Sequence, residues 1–173
     1  MLKFFIEIGS EEIPSGYIQP ALEYMRDELA SFFSNNRIQS ETPQILGTPR
    51  RLVVSVKGVD ALQEASVDLF HGPTVSVAFD DKGEPTKAAI GFALGKGLDV
   101  SALTRESTPK GEVVCARVEK KCRPTLEHLN EFLPQFIGNI PFPKKMRWGS
   151  KARHFARPLH WSAAIVDGKP IQF

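Results

Sequence analysis

Residues 2–8, with the sequence LKFFIEI, alternate apolar and polar side chains and predict a β-strand. Phe5 interrupts the polar side of this pattern, so we expect both faces of the strand to be covered. A turn-rich connection over residues 9–16 leads into a helix that we expect to end near Asn35, with Pro20 in its first turn. The helix is indicated by apolar residues that recur at helical spacing: Ile18, Leu22, Met25, Leu29, Phe32 and Phe33.

Both patterns recur later in the chain. Alternation predicts three more strands, over residues 51–59, 112–119 and 159–166. A second amphipathic helix begins at Thr125, and Pro134 within it predicts a kink or an early end. The fold class that follows is α+β, with mixed or antiparallel sheets and a few amphipathic helices packed on one face. The 173 residues could form one α+β domain or two small subdomains, with a helical insert near residues 85–104.

The composition is that of an ordinary globular protein, because 42% of the residues are hydrophobic and 24% are charged. No apolar run approaches the roughly 18 residues that a membrane span needs. Cys115 and Cys122 lack the spacing of a disulfide framework or a zinc ribbon, and we expect both to be reduced thiols in a cytoplasmic protein. The sequence stops within an apolar strand at Phe173, which predicts that it is the beginning of a longer polypeptide.

The formal net charge of +2 hides a gradient along the chain. Residues 1–40 carry three bases and six acids, for a net charge of −3. Residues 141–173 carry seven bases and one acid, for a net charge of +6. This asymmetry favours a polyanionic partner, such as nucleic acid, near the end of the sequence. The alternative is a solvated surface whose bases pair with the acids of the N-terminal half.

The sequence lacks the common motifs of enzymes. Residues 91–97 are one residue short of a phosphate-binding loop and place Gly97 where a Ser or Thr must reach magnesium. No histidine stands three or four residues from another, as paired metal ligands often do, among His71, His128, His154 and His160. We therefore predict no catalytic residue and no metal site, and we expect His128 to be solvated. The adjacent Glu11 and Glu12 point apart, so we expect one to cap the next helix or to pair with an arginine.

The strongest nucleic-acid signal lies between Pro141 and Trp161, where bases are interleaved with aromatic residues and prolines. Bases attract phosphate, and Phe142 or Trp148 could stack on a ribose or a base. Alternatively, Trp148, Phe155 and Trp161 are core residues that the bases surround. We predict phosphate contacts from six cations of this stretch: Lys144, Lys145, Arg147, Lys151, Arg153 and Arg157.

Two further arginines, Arg50 and Arg51, stand where a turn stiffened by Pro49 enters a strand. Successive strand residues point to opposite faces, so we expect only one of the two on the solvated face of the strand. We expect the other to be buried against an acid or to bend away at the end of the strand. Their planar guanidinium groups suit phosphate recognition, and we rank them after the six cations as RNA contacts. The alternative is a structural ion pair with Glu11 or Glu12.

Six strings of this sequence, taken in order, resemble the amino-terminal part of the β subunit of bacterial heterotetrameric glycyl-tRNA synthetases. They are EIGSEEIP from Glu7, TPRRL from Thr48, HGP from His71, PTKAAIGFA from Pro85, PFPKKMRWG from Pro141 and FARPLHW from Phe155. Together the strings span essentially the whole chain.

The resemblance implies an α2β2 enzyme that joins glycine to tRNA(Gly) with ATP. In that family, ATP with magnesium is used at the adenylate-forming site of the α subunit, whereas the β subunit contributes tRNA binding. The present residues would then form a noncatalytic region without a cofactor or metal of its own. Its partners would be the α subunit, the rest of the β subunit and tRNA(Gly), with no membrane. The alternative is an interaction scaffold that packs on the α subunit and does not touch RNA.

Overall fold

The chain forms an α+β structure, as its sequence predicts, and every strand pair in the described residues is antiparallel. It divides into two compact units, one of Met1–Glu64 with Cys122–Phe173 and one of Ala65–Lys121. No helix among the described residues has the length and apolar character needed to cross a membrane. The computed structural model describes nearly the whole chain: residues 1–80, 82–109, 111–148 and 154–173.

Each strand and helix predicted from periodicity is present near its expected bounds. The elements are, in chain order, β1 (Leu2–Ser10), α1 (Ser15–Asn35), β2 (Gln44–Thr48), β3 (Arg51–Val59), β4 (Ser66–Thr74), α2 (Val75–Ala78), α3 (Lys87–Gly95), β5 (Thr104–Thr108), β6 (Gly111–Lys120), α4 (Thr125–Asn139), β7 (Met146–Arg147), β8 (His154–Phe155), β9 (Leu159–Val166) and β10 (Lys169–Ile171). Helix α3 and a 3₁₀ turn over Val100–Ala102 lie within residues 85–104, where the sequence predicts helix.

The first unit is built on a five-stranded sheet with the order β10-β9-β1-β3-β2. Its middle strand, β1, pairs with β3 on one side and with β9 on the other. Phe4, Ile6 and Ile8 are buried on one face of β1, as their alternation predicts. On the opposite face Phe5 and Glu7 are half-buried, so this face is only partly covered.

Helices α1 and α4 bury their apolar stripes in the core of the first unit. The contact between the two helices is largely aromatic. The ring of Phe32 stacks on that of Phe132 with 4.2 Å between their centres, and the rings of Tyr24 and Phe136 stack at 6.2 Å. The apolar stripe predicted for α1 is therefore confirmed as the face that packs.

Both long helices contain a proline in their interior. Helix α1 begins at Ser15, directly after Pro14, so Pro20 is its sixth residue and the prediction of a first-turn proline is wrong. Helix α4 continues through Pro134 to Asn139, so it does not end early. In each helix buried apolar residues follow the proline, and their packing offsets the backbone hydrogen bond that proline cannot donate.

His128 on α4 is not the solvated residue that its sequence predicts. The side chain is half-buried, and its Nε2 atom has no hydrogen-bond partner in the part of the chain that the structure describes. Burial lowers the pKa of the ring, and the charge of Arg123 acts in the same direction. The neighbouring Glu127 and Glu131 are exposed. His128 therefore lies at the edge of the face of α4 that packs on the core.

The second unit contains a three-stranded sheet with the order β4-β6-β5. Val114 of β6 forms a small core with Ala78 of α2 and Ala89 of α3. Helix α3 approaches β4 so closely that a Cβ atom on Gly72 would lie 2.7 Å from the ring of Phe92. The HGP string therefore needs a glycine at this position.

Candidate functional site

Three of the six strings meet at one end of the five-stranded sheet. The amide of Ser10 donates to the carbonyl of Arg50 at 3.0 Å, and the amide of Glu11 donates to the carbonyl of Pro158 at 3.0 Å. The amide of Ile13 donates to the carbonyl of Pro49 at 2.7 Å. These backbone hydrogen bonds hold the segments EIGSEEIP, TPRRL and FARPLHW together.

We call the side chains that these segments bring together the motif surface: Glu7, Glu11, Glu12, Arg50, Arg51, Arg157, His160 and Trp161. The carboxylate of Glu11 lies 2.7 Å from Nε2 of His160 and 3.6 Å from the guanidinium of Arg50. The hydrogen bond with His160 lowers the pKa of Glu11 most, and the charge of Arg50 lowers it further. The ion-pair alternative for Arg50 is therefore confirmed.

Glu7 organises the other half of the motif surface. Its carboxylate accepts a hydrogen bond from the indole N–H of Trp161 at 3.0 Å and lies 3.9 Å from Nε of Arg51. The guanidinium of Arg51 also lies 5.6 Å from the centre of the Trp161 ring, within the range of a cation–π interaction. Trp161 is 42% exposed, so the alternative that made it a core residue is wrong.

The charges of the motif surface balance. Arg50 and Arg51 each lie near a carboxylate, and Arg157 donates through Nε to the backbone carbonyl of Glu12 at 3.0 Å. With three arginines and three glutamates, the formal charge of the motif surface is zero. Both Arg50 and Arg51 are exposed, because Arg50 lies in the turn before β3 and is not bound by the alternation of the strand. The expectation that one of the two bends away at the end of the strand is therefore confirmed for Arg50.

The eight predicted RNA contacts fall in three places. Three belong to the motif surface: Arg50, Arg51 and Arg157. Two lie outside the described residues: Lys151 and Arg153. The remaining three form what we call the basic segment: Lys144, Lys145 and Arg147. Contact with RNA stays a prediction for all eight.

The basic segment follows α4 and extends into the short strand β7. Lys144 and Arg147 are exposed, whereas Lys145 is half-buried. The ammonium group of Lys145 donates to the carbonyl of Gly138 at 3.0 Å, near the end of α4. This hydrogen bond ties the segment to the helix, and it leaves the lysine charge without a carboxylate partner in the described residues.

The aromatic residues beside the basic segment belong mainly to the core. Phe142 is 7% exposed, and its ring meets that of Phe155 edge to face with 4.7 Å between their centres. Trp148 is half-buried and donates its indole N–H to the carbonyl of Phe155 at 3.1 Å. The prediction that Phe142 stacks on RNA is therefore wrong, because its ring is enclosed by protein. These residues instead fix both ends of the basic segment.

The contact between Gly9 and Trp161 gives a first testable prediction. A Cβ atom on Gly9 would overlap the indole ring, so Gly9→Ala must displace the ring and break its hydrogen bond to Glu7. We expect the free energy of unfolding to fall by about 1–3 kcal/mol, measured by chemical denaturation. Gly16→Ala is the matched control, because nothing lies within 4 Å of a Cβ atom there. Equal stability of the two variants would contradict the close contact.

Comparison with known proteins gives one consistent family. Residues 4–173 match the family model of the glycyl-tRNA synthetase beta subunit. The glycine–tRNA ligase beta subunit of Geobacter metallireducens is 47% identical over 173 residues, which is 100% of the chain. That of Syntrophotalea carbinolica is 44% identical over 171 residues, or 99% of the chain. Both alignments cover 25% of the relative, so the chain spans about a quarter of the length of these curated relatives.

Proposed function

The chain belongs to the glycyl-tRNA synthetase beta subunit family, and from this premise we propose that it helps to attach glycine to tRNA(Gly) by contacting the tRNA backbone through its basic segment. In this proposal the chain is the N-terminal part of the β subunit of an α2β2 enzyme. The α subunit uses ATP with magnesium to form the adenylate, and the present region is noncatalytic. Its protein partners are the α subunit and the remainder of the β subunit.

The observation that carries the proposal is the density of positive charge at the basic segment, in a part of the sequence that contains no acidic residue. No Asp or Glu occurs between Glu131 and Asp167, whereas six lysines and arginines lie between them. Three of these six form the basic segment, within four consecutive positions. Phosphate groups are attracted to such a concentration of positive charge, and this attraction does not depend on base sequence.

The surroundings of the basic segment favour a surface that is in place before RNA arrives. Phe142 on one side of the segment is buried, and Trp148 on the other is held by a hydrogen bond. Lys144 and Arg147 nevertheless reach solvent. A segment that is already ordered loses less conformational entropy on binding than a disordered one, which supports a direct contact with phosphate.

The motif surface favours a different role, docking to protein during subunit assembly. Its formal charge is zero, so it offers a polyanion no net attraction, and a phosphate would have to displace Glu7 or Glu11. Exposed arginine and tryptophan side chains are instead enriched at protein–protein contacts. Arg51 and Trp161 are already held in position here by Glu7. We assign this surface to contact with the α subunit or with the remainder of the β subunit.

Photocrosslinking in the assembled full-length enzyme tests both roles. A benzoylphenylalanine at position 144 should crosslink to tRNA, because that side chain would lie against the RNA backbone. The same group at position 161 should crosslink to protein. A probe at position 94, where Leu94 is 70% exposed on α3, serves as the control for nonspecific capture. Protein adducts alone from position 144 would contradict the tRNA contact and favour the scaffold alternative.

A further inference from the structure

Three side chains that commonly bind metals meet on the three-stranded sheet of the second unit. His71 lies on β4 directly opposite Cys115 on β6, and Glu106 lies on β5. Nε2 of His71 lies 3.3 Å from Oε2 of Glu106, and Sγ of Cys115 lies 3.4 Å from the same oxygen. All three candidate ligand atoms lie within 4.8 Å of one another.

We propose that His71, Glu106 and Cys115 form a binding site for a zinc-like divalent cation. A nitrogen, a carboxylate oxygen and a sulfur are the three ligand types that zinc accepts in proteins. Bonds of about 2.0–2.3 Å at tetrahedral angles place neighbouring ligand atoms about 3.3–3.6 Å apart. The two separations from the Glu106 oxygen are close to this range without a metal present. Three protein ligands would leave a fourth position for water.

The backbone around the cluster restricts where its ligands can go. The register between β4 and β6 shifts between His71 and Thr74, where Gly72 and Pro73 interrupt the regular pairing. Gly72 is pressed against the ring of Phe92. The contact with α3 therefore restricts the backbone of β4 next to His71. A ligand set that is formed before the metal binds requires such a restriction.

The three side chains of the cluster differ in their exposure to solvent. Cys115 is fully buried, whereas the side chains of His71 and Glu106 are about half-exposed. Small rotations of the two outer side chains would open a path from solvent to the thiol. The buried sulfur of Cys115 would thus hold the cation on the protein side. The exposed side chains of His71 and Glu106 would bind it on the solvent side.

Charge and proton balance are compatible with a divalent cation. In the metal-free chain the Cys115 thiol donates a hydrogen bond to Glu106. A bound cation would replace the thiol proton, which passes to solvent, and His71 would bind through Nε2 with its proton on Nδ1. One thiolate and one carboxylate then neutralise the two positive charges of the ion.

Cobalt(II) is a suitable probe because it occupies zinc sites and reports thiolate ligation by absorbance. We expect the full-length protein to bind one equivalent of Co²⁺, with a sulfur-to-metal charge-transfer band that Zn²⁺ abolishes. Cys115→Ser should remove the band. His71→Gln and Glu106→Gln should each weaken Co²⁺ binding at least tenfold. These last two side chains are exposed, so their substitution tests the site without disturbing the core.

Cys122→Ser is the matched control, since Cys122 is an exposed thiol outside the cluster and should leave the band unchanged. Circular dichroism of each metal-free variant checks that it is folded. The proposal is overturned if the native protein gives no band, if Cys122→Ser removes it, or if both exposed-ligand variants bind Co²⁺ as the native protein does. None of these outcomes bears on the proposed contact with tRNA.

Discussion

Replacement of Phe33 by alanine is expected to lower the free energy of unfolding of the first unit by about 3–5 kcal/mol. Phe33 is 1% exposed and lies where α1 meets the middle strand of the sheet. Its ring meets Phe4 of β1 edge to face with 6.3 Å between their centres, and Phe32 with 5.2 Å. Its removal would leave a cavity between helix and sheet, which the surrounding core cannot close fully.

Hydrogen exchange of peptides from β1 and α1 in the full-length protein measures this effect locally. Each 1.4 kcal/mol of lost stability speeds exchange about tenfold, so we expect these amides to exchange about a hundredfold faster or more. Leu46→Ala is the matched control, because Leu46 is 71% exposed on the edge strand β2. Native protection of β1 in the Phe33 variant would show that this ring does not hold the helix to the sheet.

The combined substitution Lys144→Ala, Lys145→Ala and Arg147→Ala is expected to weaken tRNA(Gly) binding by the full-length enzyme about a hundredfold near 0.1 M salt. The reason is counterion release from the RNA. Each phosphate that a protein cation neutralises multiplies the binding constant by a factor that grows as the salt concentration falls. The change removes three positive charges but leaves Phe142 and Trp148, which hold the ends of the segment in the core.

A charge-matched control separates local contact from overall electrostatics. Lys82→Ala, Lys87→Ala and Lys121→Ala also remove three positive charges, all of them exposed and outside the basic segment. We expect this control to bind tRNA within a few-fold of the native enzyme. An equal loss in both variants would indicate only long-range attraction. The basic-segment variant could instead assemble less well, as sedimentation would show, while its remaining assembled enzyme binds tRNA normally. That result would favour the alternative of a protein-interaction scaffold.

Periodicity was sufficient to predict β1, β3, β6, β9, α1 and α4, because it records burial of one face within a single segment. Strand β1 and helix α1 follow their apolar patterns closely, and the family-like strings identified the family. Periodicity does not say which turns meet, so the convergence of three strings on Glu7 and Glu11 could not be predicted. The ion pair between Arg50 and Glu11 was one of two alternatives and is present in the structure, whereas contact of Arg50 with RNA stays a prediction.

The error on Phe142 depends on contacts between distant segments, which no local pattern records. Phe142 lies in a stretch without periodicity, and its burial comes from Phe155 and from Tyr17 of α1. The site proposed for His71, Glu106 and Cys115 gives no spacing signal either, because its three residues come from different strands of a sheet. A search by sequence spacing finds ligand pairs on helices and tight turns, and it misses sets assembled across strands.

The salt dependence of tRNA binding tests the proposed role of the basic segment most directly. The measurement is the slope of the logarithm of the binding constant against the logarithm of salt concentration, for the native enzyme and for the basic-segment variant. If Lys144, Lys145 and Arg147 each neutralise one phosphate, the slope should become shallower by roughly 2–3. Identical slopes for the two proteins would contradict contact between this segment and the tRNA backbone.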